Sequence, residues 1–373
     1  MDQLVPEQLL SNSNKILFIT HLAIGDFTYL QTYFLEFSKK YPNISIDIWV
    51  DDVRRTMRFW KWASLKKYSL YDWLSSCKFI RKIYTQTYSP FVLRKSIRKA
   101  QSENYPIVIT LTSIRSERYA VLARKISPNG FIVGLCERYY FYNFIKIRRY
   151  LSLNKALDRK WVGTGQYHIS DLYAQWFLNF FNVSVETEAR RPFINIPKCW
   201  IIYAKLKFMK WSIGKKSKNF SRVVFINPYA KEAKRSIPLD YLLKLLKELK
   251  NIDKWGDINF IINVTPEEYK KTKKFFDKNS LTNTRIFSAD YNFFQLPAVI
   301  SLCDLVISVE TSVMHLASAL KVPVVALMRQ KTPEWIPWDK ERSTVVWAKR
   351  RRDWVKDIEI KEVITSVIKF VGN

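Results

Sequence analysis

The chain has 373 residues, of which 48% are hydrophobic and 15% aromatic, and carries 62 Lys plus Arg against 33 Asp plus Glu for a formal net charge of +29. That apolar content excludes a disordered chain, and the length calls for two domains of ordinary size instead of one α/β core. The charge favours an anionic partner, whether nucleic acid, an anionic membrane surface or a phosphorylated substrate, with a solvated lysine-rich surface as the plain alternative.

Met1 to Asn14 lacks a basic segment followed by an apolar one, so no signal peptide is expected, and no apolar run approaches the length of a membrane span. The first predicted strand is Lys15 to Thr20, followed by His21-Leu22-Ala23-Ile24-Gly25-Asp26 and a helical segment to Lys40; Ile44 to Val50 then alternates as a strand. A strand, helix and strand joined by short links predict a parallel pair. Pro106 to Leu111 and Phe131 to Leu135 extend the series as in a doubly wound sheet. Around residues 189 to 221 the period fades and the sequence turns basic, which places the domain junction there. A second strand and helix series follows: strands at Arg222 to Ile226, Ile258 to Val264, Thr284 to Phe287, Leu305 to Val309 and Val322 to Met328, with helices at Leu239 to Leu249 and Pro266 to Asn279. The expected domains are 1–195, a linker at 196–221, 222–350, and a C-terminal helix at 351–373 placed to pack back on the first domain. Cysteines 77, 136, 199 and 303 are widely spaced with no histidine at ligand spacing, a pattern of neither disulfides nor zinc, in keeping with a reducing cytoplasm.

Residues 303 to 327 are the most informative segment. A buried strand ends at Val309, Glu310-Thr311-Ser312 makes an abrupt polar turn, Thr311 or Ser312 can cap a helix, and a second buried strand follows. A helix that starts at a strand's carboxyl end offers backbone N–H groups and a positive dipole end to a phosphate.

Four segments together, Ile24-Gly25-Asp26, Asn227-Pro228-Tyr229-Ala230 with Lys234-Arg235-Ser236-Ile237-Pro238, the 303–327 unit, and Thr332-Pro333, resemble the ADP-heptose:lipopolysaccharide heptosyltransferases of glycosyltransferase family 9. The resemblance spans roughly residues 15 to 335 and implies a GT-B fold: two Rossmann-like α/β domains facing across a cleft. It implies an inverting, metal-independent transferase in which Asp26 is the catalytic base; the other role open to Asp26 is to cap the following helix. The family's Asp-Thr-Gly-x-x-His signature reads here as Glu310-Thr311-Ser312-Val313-Met314-His315, so two positions depart from it. By resemblance Asn227, Glu310, Thr311, Ser312, Val313 and His315 bind the donor, and Arg235, or Lys234 with one residue inserted, neutralises its diphosphate. Glu267 or Glu268, in the first turn of a helix, matches the family's ribose-binding glutamate. His21 and His168 are expected to be structural. Asp51-Asp52 is not expected to hold a metal, since adjacent side chains on a strand end point apart, and no tightly bound cofactor is expected.

Two basic aromatic stretches remain, 54–62 and 138–149. Arg54, Arg55, Arg58, Trp60, Lys61, Lys146, Arg148 and Arg149 suit docking on a membrane or on an anionic lipid A and core acceptor, although packing with snorkelling cations explains them as well. No nucleic-acid module is present. The reading that unites these features is transfer of a heptose or related sugar from an ADP-sugar to the inner core of lipopolysaccharide or lipooligosaccharide, in the cytoplasm at the inner membrane of a bacterium. Another nucleotide sugar, or a non-catalytic basic protein binding anionic glycolipid or nucleic acid, are the alternatives.

Overall fold

The computed structural model describes residues 3–51, 55–137, 143–160, 163, 165–213, 222–252, 258–279 and 281–370. These form two units, Met1–Arg190 and Arg191–Asn373. In the first, strands β1 (Lys15–Thr20), β2 (Ser45–Val50), β3 (Ile80–Tyr84), β4 (Ile107–Leu111), β5 (Phe131–Cys136) and β6 (Lys155–Asp158) form one sheet in the order β3-β2-β1-β4-β5-β6. In the second, β7 (Arg222–Asn227), β8 (Ile258–Asn263), β9 (Thr284–Phe287), β10 (Leu305–Val309), β11 (Val324–Met328) and β12 (Ser343–Trp347) run β12-β11-β10-β7-β8-β9. All pairings are parallel. Counted from its own first strand, each sheet has the Rossmann order, and each reverses direction between its first and fourth strands. Ligands bind at the carboxyl ends of strands beside such a reversal.

The strands beside each reversal, β1 and β4 in one unit and β7 and β10 in the other, are almost wholly buried, as parallel strands covered on both faces must be. In the first unit the Ile24–Lys40 and Ile169–Phe181 helices pack an aromatic cluster on β1: Phe18 lies edge-on to Phe34 and Phe181, with ring centroids 5.0 and 5.9 Å away. In the second, Leu242, Leu245, Leu246 and Leu249 of the Leu239–Lys250 helix meet Ile226, Phe260 and Ile307. The last helix, Ile360–Ile368, packs on β11, β12 and the Leu239–Lys250 helix through Val363 and Val367. It is thus built into the core of its own unit. Residues expected as a linker include a further helix, Lys198–Lys210, which packs on Gln295–Ile300 of the second unit.

The edge strand β3 is held by charge. Asp47 on β2 is fully buried, accepts from Arg81 Nε at 3.0 Å and from the Tyr105 hydroxyl at 2.5 Å, and Arg81 also donates to Glu103 at 2.9 Å. Hydrogen bonds from Lys82, then Arg81, pull the Glu103 carboxyl down to about 2 from its ordinary 4.5. An acid with a depressed native pKa adds stability above its unfolded value that is lost as pH falls through the native one. Glu103→Gln should therefore cost about 1 kcal/mol at neutral pH, the scale of partly exposed pairs, and the gap to wild type should close between pH 4.5 and about 2. Urea denaturation at several pH values measures it.

Candidate active site

In the first unit, three residues separate the end of β1 from the Ile24–Lys40 helix. Asp26 sits in that helix's first turn, where one carboxylate oxygen accepts from the Ala23 N–H at 2.9 Å and the other from the Tyr173 hydroxyl at 3.0 Å. It does cap the helix, and a second tether from the Ile169–Phe181 helix fixes its orientation. Burial raises its pKa above the ordinary value, against the opposing pull of these two donors and of nearby His21. Burial, and then the neighbouring Asp26 charge, push the Tyr173 phenol far up, so Tyr173 stays protonated and donates. A fixed, partly desolvated carboxylate at a strand's carboxyl end is equipped to accept a proton. Of the histidines, His168 caps the Ile169–Phe181 helix, its Nδ1 accepting from Ser170 N–H at 3.1 Å, and His21 Nδ1 lies 3.1 Å from the Asp51 carbonyl.

Three of the four segments that carried the resemblance meet in the second unit, around Glu310. This side chain is buried at the end of β10. Arg235 Nη2 donates to its carbonyl at 2.7 Å and to Oε1 at 3.0 Å; the Thr332 hydroxyl donates to Oε1 at 2.8 Å; Arg329 Nε lies 3.4 Å from Oε2. Glu310 is therefore an anchor that orients cations and loops. The reach of its extra methylene, compared with aspartate, is used in full. The same contacts separate the two candidate cations. Arg235 reaches the β10 turn, whereas Lys234 lies over the Trp354 ring at 5.8 Å, beside Arg329 at 5.1 Å and Lys331 at 5.4 Å.

Thr311 caps the Ser312–Ala319 helix, its hydroxyl accepting from Val313 N–H at 3.4 Å and from Asn227 Nδ2 at 2.9 Å. Because it accepts twice, its own proton is left to donate, with Ser308 Oγ 3.3 Å away. Ser312 opens the helix without the left-handed backbone that would demand glycine. His315 is buried, its ring 5.7 Å from that of Trp335. Asn227, expected as a donor contact, braces the strand ends. Its amide is buried between Ser308 at 3.2 Å, Thr311, and Asn263, whose Nδ2 donates to Oδ1 at 2.8 Å.

A pocket of about 750 Å³ opens beside these turns, lined among others by Tyr229, Lys234, Ile237, Glu267, Glu268 and Trp354. Glu267 is exposed, while Glu268 turns inward: one of its oxygens is buried without a hydrogen bond, 3.5 Å from Lys271 Nζ. Sequence reasoning missed Asn263, at the end of β8, and Arg329, Lys331 and Trp354, which come from segments distant in the chain and carry no local signal of a shared site.

Of the basic and aromatic residues of the first unit, Arg54 and the 138–142 part of the second stretch lie outside the described residues, as does Asp52. Arg55 is tied down, with Nη2 3.0 Å from both Asp51 oxygens and Nε donating to the Thr87 carbonyl at 3.0 Å. It lines a 330 Å³ pocket with Arg115 and Arg118. Arg58, Trp60, Lys61 and Arg148 are exposed, while Lys146 and Arg149 pair with Glu137 and Glu117 at 3.6 and 3.5 Å. Among the described residues no group of three or more His, Cys, Asp or Glu side chains is placed to hold a metal, and no helix is long and apolar enough to cross a membrane.

Residues 215–362 match the model of glycosyltransferase family 9 (heptosyltransferase). The second unit is a family 9 glycosyltransferase domain. The protein is by this match a glycosyltransferase, and the Glu310 cluster and its pocket lie within the family 9 domain. No curated protein is matched at the level of sequence. Among solved structures, the chain is similar to a glycosyl transferase family 9 protein from Veillonella parvula, at 15% identity and a TM-score of 0.72, covering 96% of this chain and 97% of that one. It is similar also to the E. coli ADP-heptose lps heptosyltransferase II (16%, TM-score 0.67, 96% and 98% covered) and to E. coli heptosyltransferase WaaC with ADP (13%, 0.64, 95% and 99%). At these identities the likeness shows the fold, GT-B, over nearly the whole chain.

Proposed function

We propose that the protein transfers a heptose or related sugar from an ADP-sugar to an anionic, lipid-borne inner-core acceptor, with inversion at the anomeric carbon. The observation that carries this reading is the family 9 domain whose Arg235, held by Glu310, stands at the reversal of the sheet beside the Thr311-capped helix. In the proposed step the acceptor hydroxyl attacks the anomeric carbon and passes its proton to Asp26. The bond to the diphosphate breaks, and its electron pair stays on the departing phosphate oxygen. Arg235, Lys234 and the N-terminal turn at Thr311, Ser312 and Val313 stabilise that growing charge without a metal. His315 supports the turn from within. Glu268, whose buried Oε2 makes no hydrogen bond beyond its long ion pair with Lys271 at 3.5 Å, would bind the ribose hydroxyls.

The exposed Met57, Phe59 and Trp60 with Arg58 and Lys61, and Phe144, Ile145 and Leu151 with Arg148, fit contact with an anionic leaflet near a lipid-borne acceptor. In this reading the protein works at the cytoplasmic face of the inner membrane. A thermal-shift panel of ADP-, GDP- and UDP-sugars tests the donor. The ADP-sugar should raise the melting temperature of wild type and much less that of Glu268→Gln; a larger shift with GDP- or UDP-sugars would reassign the nucleotide.

A further inference from the structure

The Lys198–Lys210 helix is apolar on both of its faces. At 100° per residue, Ala204 and Phe208 point inward and are buried, Phe208 beside Trp211, which in turn meets Phe287 edge-on. On the opposite side Cys199, Ile202, Leu206 and Met209 fall within one stripe, and the three larger side chains are 56%, 58% and 53% exposed. Lys198 and Lys205 flank this stripe on one side and Lys207 and Lys210 on the other, and the helix contains no acidic residue. A surface helix normally carries one apolar face and buries it, whereas this one has a second apolar strip that is exposed. Lysines along both borders can keep their charge in water while their stems follow an apolar surface downward.

We propose that this helix is an interfacial anchor, laying the Cys199–Met209 stripe into an anionic lipid leaflet with its lysines among the headgroups. Charge complementarity selects the occupant. Four lysines and no acid favour anionic lipid, and they would repel a second copy of the same face. The helix is mounted on the family 9 domain through Gln295–Ile300 and is separate in sequence from the exposed aromatics of the first unit. It would give the nucleotide-binding unit its own contact with the membrane.

Co-sedimentation of the full chain with vesicles of phosphatidylglycerol and phosphatidylcholine tests the proposal. Wild type should bind, more weakly as salt rises, and Ile202→Asn/Leu206→Asn should lower the partition coefficient by roughly tenfold or more with unchanged circular dichroism. Lys205→Glu/Lys210→Glu should weaken binding to the mixed vesicles and leave the weak binding to pure phosphatidylcholine unaltered. Phe59→Ser/Trp60→Ser reports separately on the first unit and should leave the effect of the helix variant intact. Equal binding by wild type and Ile202→Asn/Leu206→Asn, no binding by wild type, or concentration-dependent dimerisation without lipid that the helix variant abolishes would each overturn the proposal.

Discussion

Asp26→Asn is expected to lower kcat by roughly 10²- to 10⁴-fold, the range for loss of a positioned general base, while leaving donor binding and the melting temperature nearly unchanged. The fold should survive because the single asparagine oxygen can still accept from Ala23 N–H, while its NH2 group, in place of the other oxygen, can donate to the Tyr173 hydroxyl once that hydroxyl turns its proton away. The basicity is removed and the side-chain shape is kept. The pH profile adds a sharper expectation. Burial raises the pKa of Asp26 above 3.8, and a base works only when deprotonated, so the acid limb of kcat/KM should lie above that value. Tyr173→Phe deletes a bond that favours the ionised form, so that limb should move to higher pH. A limb that stayed in place in Tyr173→Phe would detach Asp26 from the rate.

Glu310→Ala should destabilise the second unit by about 3 kcal/mol, because it leaves the partners of a buried ion-pair cluster uncompensated. Arg329 is nearly as buried as Glu310, with side-chain exposures of 10% and 7%, whereas Arg235 at 25% can recover some solvation. Donor affinity should fall as well, since the Arg235 guanidinium is aimed by Glu310 through Nη2. Glu310→Asp keeps the charge but shortens the arm. It should restore much of the stability and less of the affinity, since its carboxylate falls short of Arg235 and Thr332. Urea denaturation paired with donor titration separates the two effects.

The inner strands of both sheets follow directly from the sequence. Lys15–Thr20 has an unbroken apolar centre and Leu305–Val309 is apolar but for Ser308, as central parallel strands are. The three strands that sequence reasoning missed, Ile80–Tyr84, Lys155–Asp158 and Ser343–Trp347, are all at sheet edges. There, half-exposed residues, charged ones among them in Ile80–Tyr84 and Lys155–Asp158, blur the pattern, and in the first of these Asp47 pairs with Arg81 to hold the strand in place. The Lys198–Lys210 helix escaped for a different reason: apolar side chains on both faces leave no period to detect. In the site, the turn at Glu310 to His315 was recognisable because strand, cap and helix are contiguous. The role of Glu310 was not, because its partners Arg235, Arg329 and Thr332 are brought to it only by the folding of β7, β10 and β11. Which of Glu267 and Glu268 turns inward depends on the rotation of the Pro266–Asn279 helix, and one turn of sequence does not fix that.

The most direct test of the proposed activity is mass spectrometry of a reaction containing wild-type protein, an ADP-heptose donor and a lipid-borne inner-core acceptor. The expected result is acceptor-dependent release of ADP with an equimolar gain of one heptose mass on the lipid, absent with Asp26→Asn. Intact donor and unmodified acceptor after incubation with folded wild-type protein, for every nucleotide sugar offered, would contradict it.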